Sequence, residues 1–469
     1  MKKAIALTLA LLSLGSLAFG AARRQSGGVP TVVWYLAGPG PIAGPDLADN
    51  MKIMSDYTQE KIGVRFELRD VVDNTRRSVI LNSGEAFDIM FSQSEISDWV
   101  PTGVFADITD RVPVVAPALW NYVPKMLWDG VRWGGKIYAV PTYKDSSLTV
   151  FLFWDKKYVD KYALNTGKRP YTLEDFDRDL RTVKAGEGAN FYPYMSAGSN
   201  DLWPNLWTFD SVGPGLGVRI DDPTRRVVST LEQPDTLAKY KILRAWYKEG
   251  IVNPDAPQLT EIPRGRTVNF DIAWPSKAQV SALANGLDAY VPIDLNTPFV
   301  STGQVRGSLQ AFSANSKYID ESLKLIELVN TDSKLRNMLA FGIEGRNFRY
   351  IGPNRIERLT DNYITQEWAQ ATFFNLATTS DQPETTWDEV RAQNDRAVTS
   401  PLIGFSMDNT SIRSEISNLN NIMNRYNVEL LYGAVEPEVL IPRIIAELKA
   451  VGFDKVWTEA QRQIDEYFK

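Results

Sequence analysis

The sequence contains no cysteine and no histidine among its 469 residues. Without cysteine the chain can form no disulfide, ligate no iron–sulfur cluster and offer no thiol nucleophile. Without histidine it can build no Ser-His-Asp triad, no histidine general base and none of the usual zinc sites. These absences exclude several large classes of enzyme, and we predict no cofactor.

The charges are nearly balanced and slightly acidic. The chain carries 51 lysines and arginines against 57 aspartates and glutamates, a net charge of −6. Nucleic-acid binding depends on basic patches that neutralise phosphates, so this composition, without a basic block, argues against it. Aromatic residues make up 11% of the chain and include 13 tryptophans. That is more than a core needs, and stacking on the apolar faces of sugars is one use for the surplus.

The first 20 residues have the pattern of a cleaved signal peptide. Two lysines precede an almost unbroken apolar run over residues 4–14, and Ala18 and Gly20 satisfy the small-x-small rule for cleavage. The alternative is a transmembrane anchor, but spanning a bilayer needs about 20 apolar residues and this run is shorter. We therefore expect export with cleavage after Gly20, then a flexible leader over residues 21–28. No later run is apolar enough to predict insertion in a membrane.

Strand and helix patterns alternate in the first part of the mature chain. Strands are predicted at residues 29–36, 64–68 and 87–91, with helices at 47–54 and 78–81 between them. This βαβαβ order predicts a parallel sheet covered by helices. Ligands of such sheets bind beyond the carboxyl ends of the strands, which points to the loops after the first and third strands.

The length of the chain predicts a second domain. Even without its first 20 residues, a chain of 469 residues is too long for one hydrophobic core. Gly134 and Gly135 predict a turn, a strand at 137–140 leads out of the first domain, and an apolar strand at 148–154 begins the next. Thr172 is predicted to cap a helix. Residues 191–217, rich in Trp, Pro and Gly, follow no period, which is typical of binding loops.

The order of motifs resembles the family 1 extracellular solute-binding proteins, which include maltose-binding protein. Within them it is most similar to the LipO/YtcQ-like branch, which has its own C-terminal region. The residues that carry the resemblance are spread over nearly the whole chain: VWYL at 33–36, SGEAFDI at 83–89, GGKIYAVP at 134–141, AWYKEG at 245–250, LVNTD at 328–332, FGIEGRNF at 341–348 and SPLIGFS at 400–406.

The resemblance implies an α/β, two-lobed periplasmic-binding-protein fold of type II, each lobe a mainly parallel sheet flanked by helices. It places three crossings between the lobes near residues 142–147, 290–295 and 330–335. The implied lobes are, for lobe 1, residues 29–143 plus 294–332 and, for lobe 2, residues 147–291 plus 335–469.

The resemblance also implies a function. Such proteins close at a hinge around a small ligand and deliver it to the permease subunits of an ABC importer. We expect a monomer that is not an enzyme. The LipO/YtcQ-like branch consists largely of lipoproteins, whereas this chain has no cysteine to carry a lipid. We therefore expect an unlipidated protein in the periplasm.

A sugar needs an aromatic platform for its apolar face and planar hydrogen-bonding groups for its hydroxyls. That mixture occurs at the predicted strand ends, crossings and aperiodic loops. The candidates for ligand contact are Tyr35, Ser92, Gln93, Tyr143, Lys144, Asp145, Trp203, Trp207, Trp274 and Arg306. Trp274 matches the position of a stacking tryptophan in the maltose-binding relatives.

Several candidates have an equally simple structural interpretation. Tyr35 fits a core position as well as ligand contact, and residues 143–145 fit a solvated hinge. Trp203 and Trp207, four residues apart, fit a pair that packs together. Arg306 fits a surface cation, although with Lys144 it leaves room for an acidic sugar.

Two other functions stay open beside capture of an oligosaccharide or sugar acid. A glycosidase needs two carboxylates about 5–10 Å apart, and Asp88 with Glu95 is one of many pairs that 57 acidic residues allow. A lectin-like binding module without a transporter is the other.

Overall fold

The computed structural model describes most of the chain beyond its N-terminus. The described residues are 28–36, 42–71, 73–198, 203, 208–262, 266–287 and 290–469. The predicted signal peptide, all but the last residue of the predicted leader, and Trp207 lie outside them.

The strands are short and belong to several sheets. They are β1 (Thr31–Leu36), β2 (Arg65–Asp70), β3 (Ile89–Ser92), β4 (Arg132–Trp133), β5 (Lys136–Ile137), β6 (Ala139–Pro141), β7 (Thr149–Asp155), β8 (Phe209–Gly213), β9 (Leu216–Arg219), β10 (Val227–Ser229), β11 (Val268–Ala273), β12 (Tyr290–Asp294), β13 (Phe299–Val300), β14 (Leu309–Phe312), β15 (Phe348–Gly352), β16 (Arg355–Arg358), β17 (Thr378–Thr379) and β18 (Val398–Thr399).

Helices connect and cover these strands. They are α1 (Leu47–Ile62), α2 (Asn74–Ser83), α3 (Ile96–Trp99), α4 (Val112–Val115), α5 (Pro117–Tyr122), α6 (Lys125–Gly130), α7 (Lys156–Tyr162), α8 (Leu173–Glu187), α9 (Pro234–Glu249), α10 (Pro275–Ala284), α11 (Thr302–Val305), α12 (Ile319–Thr331), α13 (Ser333–Phe341), α14 (Thr386–Asp395), α15 (Arg413–Leu431), α16 (Pro437–Ala450) and α17 (Phe453–Tyr467). The predicted cap is confirmed, because Thr172 and Asp175 form a reciprocal capping box at the start of α8.

The first sheet has the strand order β2-β1-β3-β14-β6. β1, β2 and β3 are parallel, with Trp34 opposite Leu68 on one side and Ile89 on the other, as the βαβαβ pattern predicts. β14 is inserted antiparallel between β3 and β6. β3 and β6 therefore run in the same direction and end at the same edge of the sheet.

The second sheet has the strand order β11-β7-β12. Both neighbours of β7 are antiparallel to it, so the prediction of a mainly parallel sheet in this lobe is wrong for the described strands. The reason lies in the connections. α10 joins β11 to β12 as a crossover between two strands of the same direction, and β7 is inserted between them in the opposite direction. Each of the two sheets therefore contains one strand, β14 or β7, that lies antiparallel between two strands of the same direction.

The second and third predicted crossings between the lobes differ from the positions that strand pairing and core burial indicate. β12 still pairs with β7, and the Leu295 amide donates to the Val150 carbonyl at 2.9 Å, so the chain leaves the second sheet only after Leu295. Leu335, Leu339 and Tyr363 are buried in the first core, around β1, β3 and β14. The predicted third crossing at 330–335 therefore lies within the first core, because α13 packs against α1 rather than leaving the lobe.

A third core belongs to the C-terminal part of the chain. The small sheet β10-β9-β8 packs with α15, α16 and α17 around fully buried Leu419, Ile444 and Val456. This unit stands beside the second core, which surrounds β7 and α8. The exact residues at which each lobe begins and ends stay a prediction.

Arg336 ties the segment after β16 to the first core. Its fully buried guanidinium donates to the carbonyls of Thr372 at 2.8 Å and Glu367 at 2.9 Å, and to the side-chain oxygen of Gln370 at 2.7 Å. Burial lowers the pKa of Arg336 to about 10, and no carboxylate in the described chain forms an ion pair with it.

We expect Arg336→Met to lower the free energy of unfolding by about 3–5 kcal/mol, because it leaves several buried acceptors without donors. Urea denaturation measures the change. The matched control is Arg349→Met, since Arg349 is 61% exposed and, among the described residues, forms its ion pair with Glu357 alone. It should change stability by less than about 0.5 kcal/mol. Equal midpoints for the two variants would contradict the anchoring role.

Candidate ligand-binding site

The carboxyl edge of the first sheet is built from three neighbouring strands. Ser92, at the end of β3, lies opposite Leu309, which in turn lies opposite Pro141 at the end of β6. The loop after β3 leads directly into the one-turn helix α3. This is the edge at which open α/β sheets bind their ligands.

Two cavities flank α3 and share Asp98. The larger has a volume of about 400 Å³, and its polar wall includes Ser97, Asp98, Asp210, Thr302, Ser406 and Asn409. The smaller has a volume of about 280 Å³ and is lined by Asn74, Arg77, Glu95, Asp98 and Trp99, among others. We call the residues around these two cavities the α3 groove. The groove joins an edge of the first sheet to β8 and to the start of the C-terminal unit.

Arg77 and Glu95 hold the loop that precedes α3. The Arg77 side chain is 3% exposed, forms an ion pair with Glu95 and donates to Asn74 at 2.8 Å. Burial lowers the pKa of Arg77. The same Glu95 oxygen accepts from the backbone amide of Gln93 at 2.8 Å. Arg77 therefore positions the loop before α3 through its ion pair with Glu95.

Arg306 lies at the back of the larger cavity and is 2% exposed. Its five N–H groups donate to the carbonyls of Gly130 at 2.9 Å, Arg132 at 3.2 Å and Gly404 at 3.0 Å, and to the hydroxyls of Ser97 and Ser406. It stacks over the Trp133 ring at 4.1 Å, and burial lowers its pKa to about 10. Arg306 is thus neither a surface cation nor, in this arrangement, free to donate to a ligand.

The other candidates near the first sheet differ in their surroundings. Ser92 is 1% exposed, and its hydroxyl has no hydrogen-bond partner in the described structure. The Gln93 side chain donates to the Gly307 carbonyl at 3.0 Å. Tyr35 is buried, donates to Glu85 and lies under Arg69. Its partners belong to β2 and the turn after α2, so the structure does not bring Tyr35 to the α3 groove.

A second group of candidates meets at the first crossing. Tyr143, Trp274, Phe373, Phe374 and Trp387 form what we call the junction cluster. Ring centroids lie 4.5 Å apart for Tyr143 and Phe374, 4.6 Å for Phe373 and Trp387, and 6.5 Å for Trp274 and Phe373. The cluster joins residues from the crossing, the junction of β11 and α10, α14 and the segment before β17.

Polar groups border the junction cluster. Lys144 pairs with Asp145 at 2.5 Å and lies 5.9 Å from the Phe373 ring centroid. Trp274 and Trp387 are 7% and 8% exposed, and neither indole N–H has an acceptor among the described residues. Four of the predicted residues, Tyr143, Lys144, Asp145 and Trp274, are therefore brought together here.

Trp203 lies elsewhere. It is 5% exposed in the second core, with its ring 5.3 Å from Phe176 and 5.9 Å from Phe270. In the described structure it acts as a core residue. Asp88, proposed for a catalytic pair, is fully buried and accepts from the Val33 amide at 2.8 Å and from the Ser316 hydroxyl at 2.5 Å. With Glu95 held by Arg77, that pair has the contacts of structural residues.

Sequence reasoning missed Asp98, Trp99, Asp210 and Asn409 as lining residues. Asp98 and Trp99 had a usable signal, because they follow β3 by less than two helical turns. Asp210 and Asn409 come from distant segments, and only the three-dimensional packing of the C-terminal unit brings them to the groove.

Comparisons with known proteins agree with this architecture. A carbohydrate ABC transporter substrate-binding protein of Streptococcus pneumoniae serotype 4 (strain ATCC BAA-334 / TIGR4) is 26% identical over 500 residues, covering 99% of this chain and 96% of the relative. The crystal structure of the N-glycan transport solute binding protein (NgtS) from Streptococcus pneumoniae matches with a TM-score of 0.79 at 23% identity, covering 93% of this chain and 99% of that one. The chain has the two-lobed fold of solute-binding proteins. The resemblance found in the sequence is thereby confirmed.

Two further comparisons add detail. The complex of NgtS with Man1GlcNAc matches at 22% identity over the same 93% and 99% of the two chains, with a lower TM-score of 0.68. Residues 401–469 match the family described as "Domain of unknown function (DUF3502)", and they contain α15, α16 and α17. Within the described part of the chain, no helix is both long enough and apolar enough to cross a membrane.

Replacing Arg306 distinguishes a structural role from ligand contact. Lysine has three donors on one nitrogen, so Arg306→Lys leaves at least two buried acceptors unpaired and should lower the free energy of unfolding by about 2–4 kcal/mol. Denaturant titration measures this loss. An unchanged unfolding midpoint together with lost ligand affinity would show instead that Arg306 contacts the ligand directly.

Proposed function

We propose that this protein captures a carbohydrate, most simply an oligosaccharide, and delivers it to an ABC importer. The proposal is supported by the fold and by the transporter relative that aligns with nearly the whole chain. It is supported further by NgtS, a protein of the same fold that has been crystallised with Man1GlcNAc.

The observation that carries this proposal is the α3 groove. On either side of α3 it presents the Trp99 ring with the Asp98 carboxylate to the smaller cavity, and Asp98 with the Asp210 carboxylate and the Asn409 amide to the larger one. Aromatic faces and planar hydrogen-bonding groups are what sugar rings and hydroxyls require. The junction cluster, with Trp274 and its unpaired indole N–H, is proposed as a second contact region.

The proposed mechanism is closure of the two lobes around the ligand. The two NgtS structures cover the same share of this chain at nearly the same identity, yet the match is better to the one whose description names no sugar, 0.79 against 0.68. That difference supports an arrangement of the lobes in this chain that is unlike the sugar complex. Ligand contact with both lobes would then stabilise a closed arrangement.

The remaining parts of the proposal concern place and partners. The protein would act in the periplasm as an unlipidated monomer after cleavage of its signal peptide, and would pass its ligand to permease subunits. It would carry out no reaction. Both carboxylates of the nominated pair, Asp88 and Glu95, are engaged with protein groups, so this pair does not favour the glycosidase alternative.

A glycan panel tests the proposed function. The mature protein should show a rise in melting temperature with at least one oligosaccharide, because a ligand that binds only the folded state stabilises it. Tryptophan fluorescence should change with the same sugar, and reducing ends should not increase on long incubation. Absence of both binding signals over a broad panel would refute sugar capture, and new reducing ends would indicate a glycosidase.

With a binding sugar in hand, Trp99→Ala and Trp274→Ala should each weaken affinity by about 1–3 kcal/mol if their rings contact the ligand. Isothermal titration calorimetry measures the loss. Trp457→Ala is the control, because Trp457 lies on α17, where its indole donates to the Val227 carbonyl at 3.0 Å. Unchanged affinity in either test variant would remove that residue from the site.

A further inference from the structure

The charges that line the α3 groove are two arginines and three carboxylates. The larger cavity contains Arg306 with Asp98 and Asp210, and the smaller contains Arg77 with Glu95 and again Asp98. Which of these charged groups can interact with a ligand depends on which of them already form hydrogen bonds or ion pairs within the protein.

Neither arginine offers the paired donors that recognise a carboxylate. Bidentate recognition needs two parallel N–H groups of one guanidinium. All five N–H groups of Arg306 donate to protein oxygens. Arg77 is paired with Glu95 through one Nη, its side chain is only 3% exposed, and its Nε–H is buried without a partner in the described structure, so its guanidinium is closed to a ligand carboxylate.

The two aspartates are in the opposite situation. Asp98 is exposed and has no lysine or arginine within 4.0 Å among the described residues. Asp210 accepts from the Ser400 hydroxyl and likewise forms no ion pair with any described cation. Burial raises the pKa of Asp210, although the Ser400 hydrogen bond opposes the shift. Both carboxylates keep acceptor positions for donors from a ligand.

The aspartates also come from different parts of the fold. Asp98 lies on α3 beside the first sheet, whereas Asp210 lies on β8, which packs against the C-terminal helices. A ligand in the larger cavity would meet one carboxylate from each side. A sugar with free hydroxyls can donate to both, while a uronic or sialic acid would place its own charge beside them. The repulsion costs most free energy near Asp210, where burial lowers the effective dielectric.

Resting on the proposed function, we infer that the α3 groove selects neutral over acidic oligosaccharides, and that Asp98 and Asp210 are its specificity-determining residues. Each accepts hydrogen bonds from ligand hydroxyls and repels ligand carboxylates. This narrows the ligand class that the sequence left open, because of the two predicted cations Arg306 is not available to an acidic sugar and Lys144 is already paired with Asp145.

Calorimetry with matched trisaccharides tests the inference. The neutral probes are maltotriose, mannotriose and chitotriose with broader neutral N-glycan fragments, and the acidic probes are trigalacturonate and sialyllactose. We expect binding by at least one neutral probe and at least tenfold weaker binding by every acidic one. Stronger binding of an acidic probe would overturn the inference but leave sugar capture standing, whereas binding of none would overturn both.

Variants assign the selectivity to residues. Asp98→Asn and Asp210→Asn should each lower the affinity for the neutral ligand about tenfold, because a charged acceptor is replaced by a neutral amide. The double variant should reduce the ratio of the affinity for neutral probes to that for acidic probes. The matched control is Asp110→Asn, because Asp110 is an exposed carboxylate of the lobe that contains Asp98 and lies outside the groove. Thermal denaturation verifies that each variant is folded, and an unchanged neutral-to-acidic ratio in the double variant would overturn the assignment.

Discussion

The insertion of β14 between β3 and β6 is the constraint on which the candidate site depends. Because β14 runs against its neighbours, its first residue, Leu309, lies at the edge where β3 and β6 end. The residues just before β14 are thereby delivered to that edge. Ser308 donates to Thr142 at 3.0 Å and Gly307 accepts from Gln93, so one inserted strand joins the loop after β3 to the first crossing. A continuous parallel sheet could not bring these segments together in this way.

Arg306 follows from the same placement. Lying three residues before β14, it reaches the carbonyls of α6, β4 and the 404–406 segment at once. Its charge is stabilised by oriented backbone dipoles and the Trp133 face rather than by a carboxylate, and within the described residues Asp98 and Asp210 have no cationic partner. The shape of the larger cavity therefore depends on a cation, while the groups that remain available to a ligand are acceptors. Arg336 uses the same chemistry with acceptors in residues 367–372, and it fixes the segment that supplies Phe373.

Local patterns predicted the elements well and their long-range pairing poorly. The alternation of 64–68, the period of 47–54 and the Thr172 cap each depend on neighbours within a few residues, and all three match the structure. The antiparallel second sheet depends on where β7 enters, which strand composition does not encode. Arg306 looked like a surface residue because its acceptors are backbone carbonyls, which any sequence supplies. Trp203 and Trp274 are both buried, yet Trp203 packs in the second core and Trp274 packs in the junction cluster, a difference that only tertiary packing decides.

The first crossing is unusually well hydrogen-bonded for a segment between two sheets, and this limits how the lobes can move. The Tyr143 carbonyl accepts from the Phe373 amide at 3.3 Å, and Asn394 donates to the Lys144 carbonyl at 2.6 Å and accepts from the Ser147 amide at 3.0 Å. Backbone groups held in this way resist independent rotation, because each bond broken without a replacement costs free energy. A closing motion would therefore carry residues 143–147 together with Phe373 and α14 as one body. The junction cluster, which contains Tyr143, Phe373 and Trp387, would then move as a preformed surface toward a ligand rather than assemble around it.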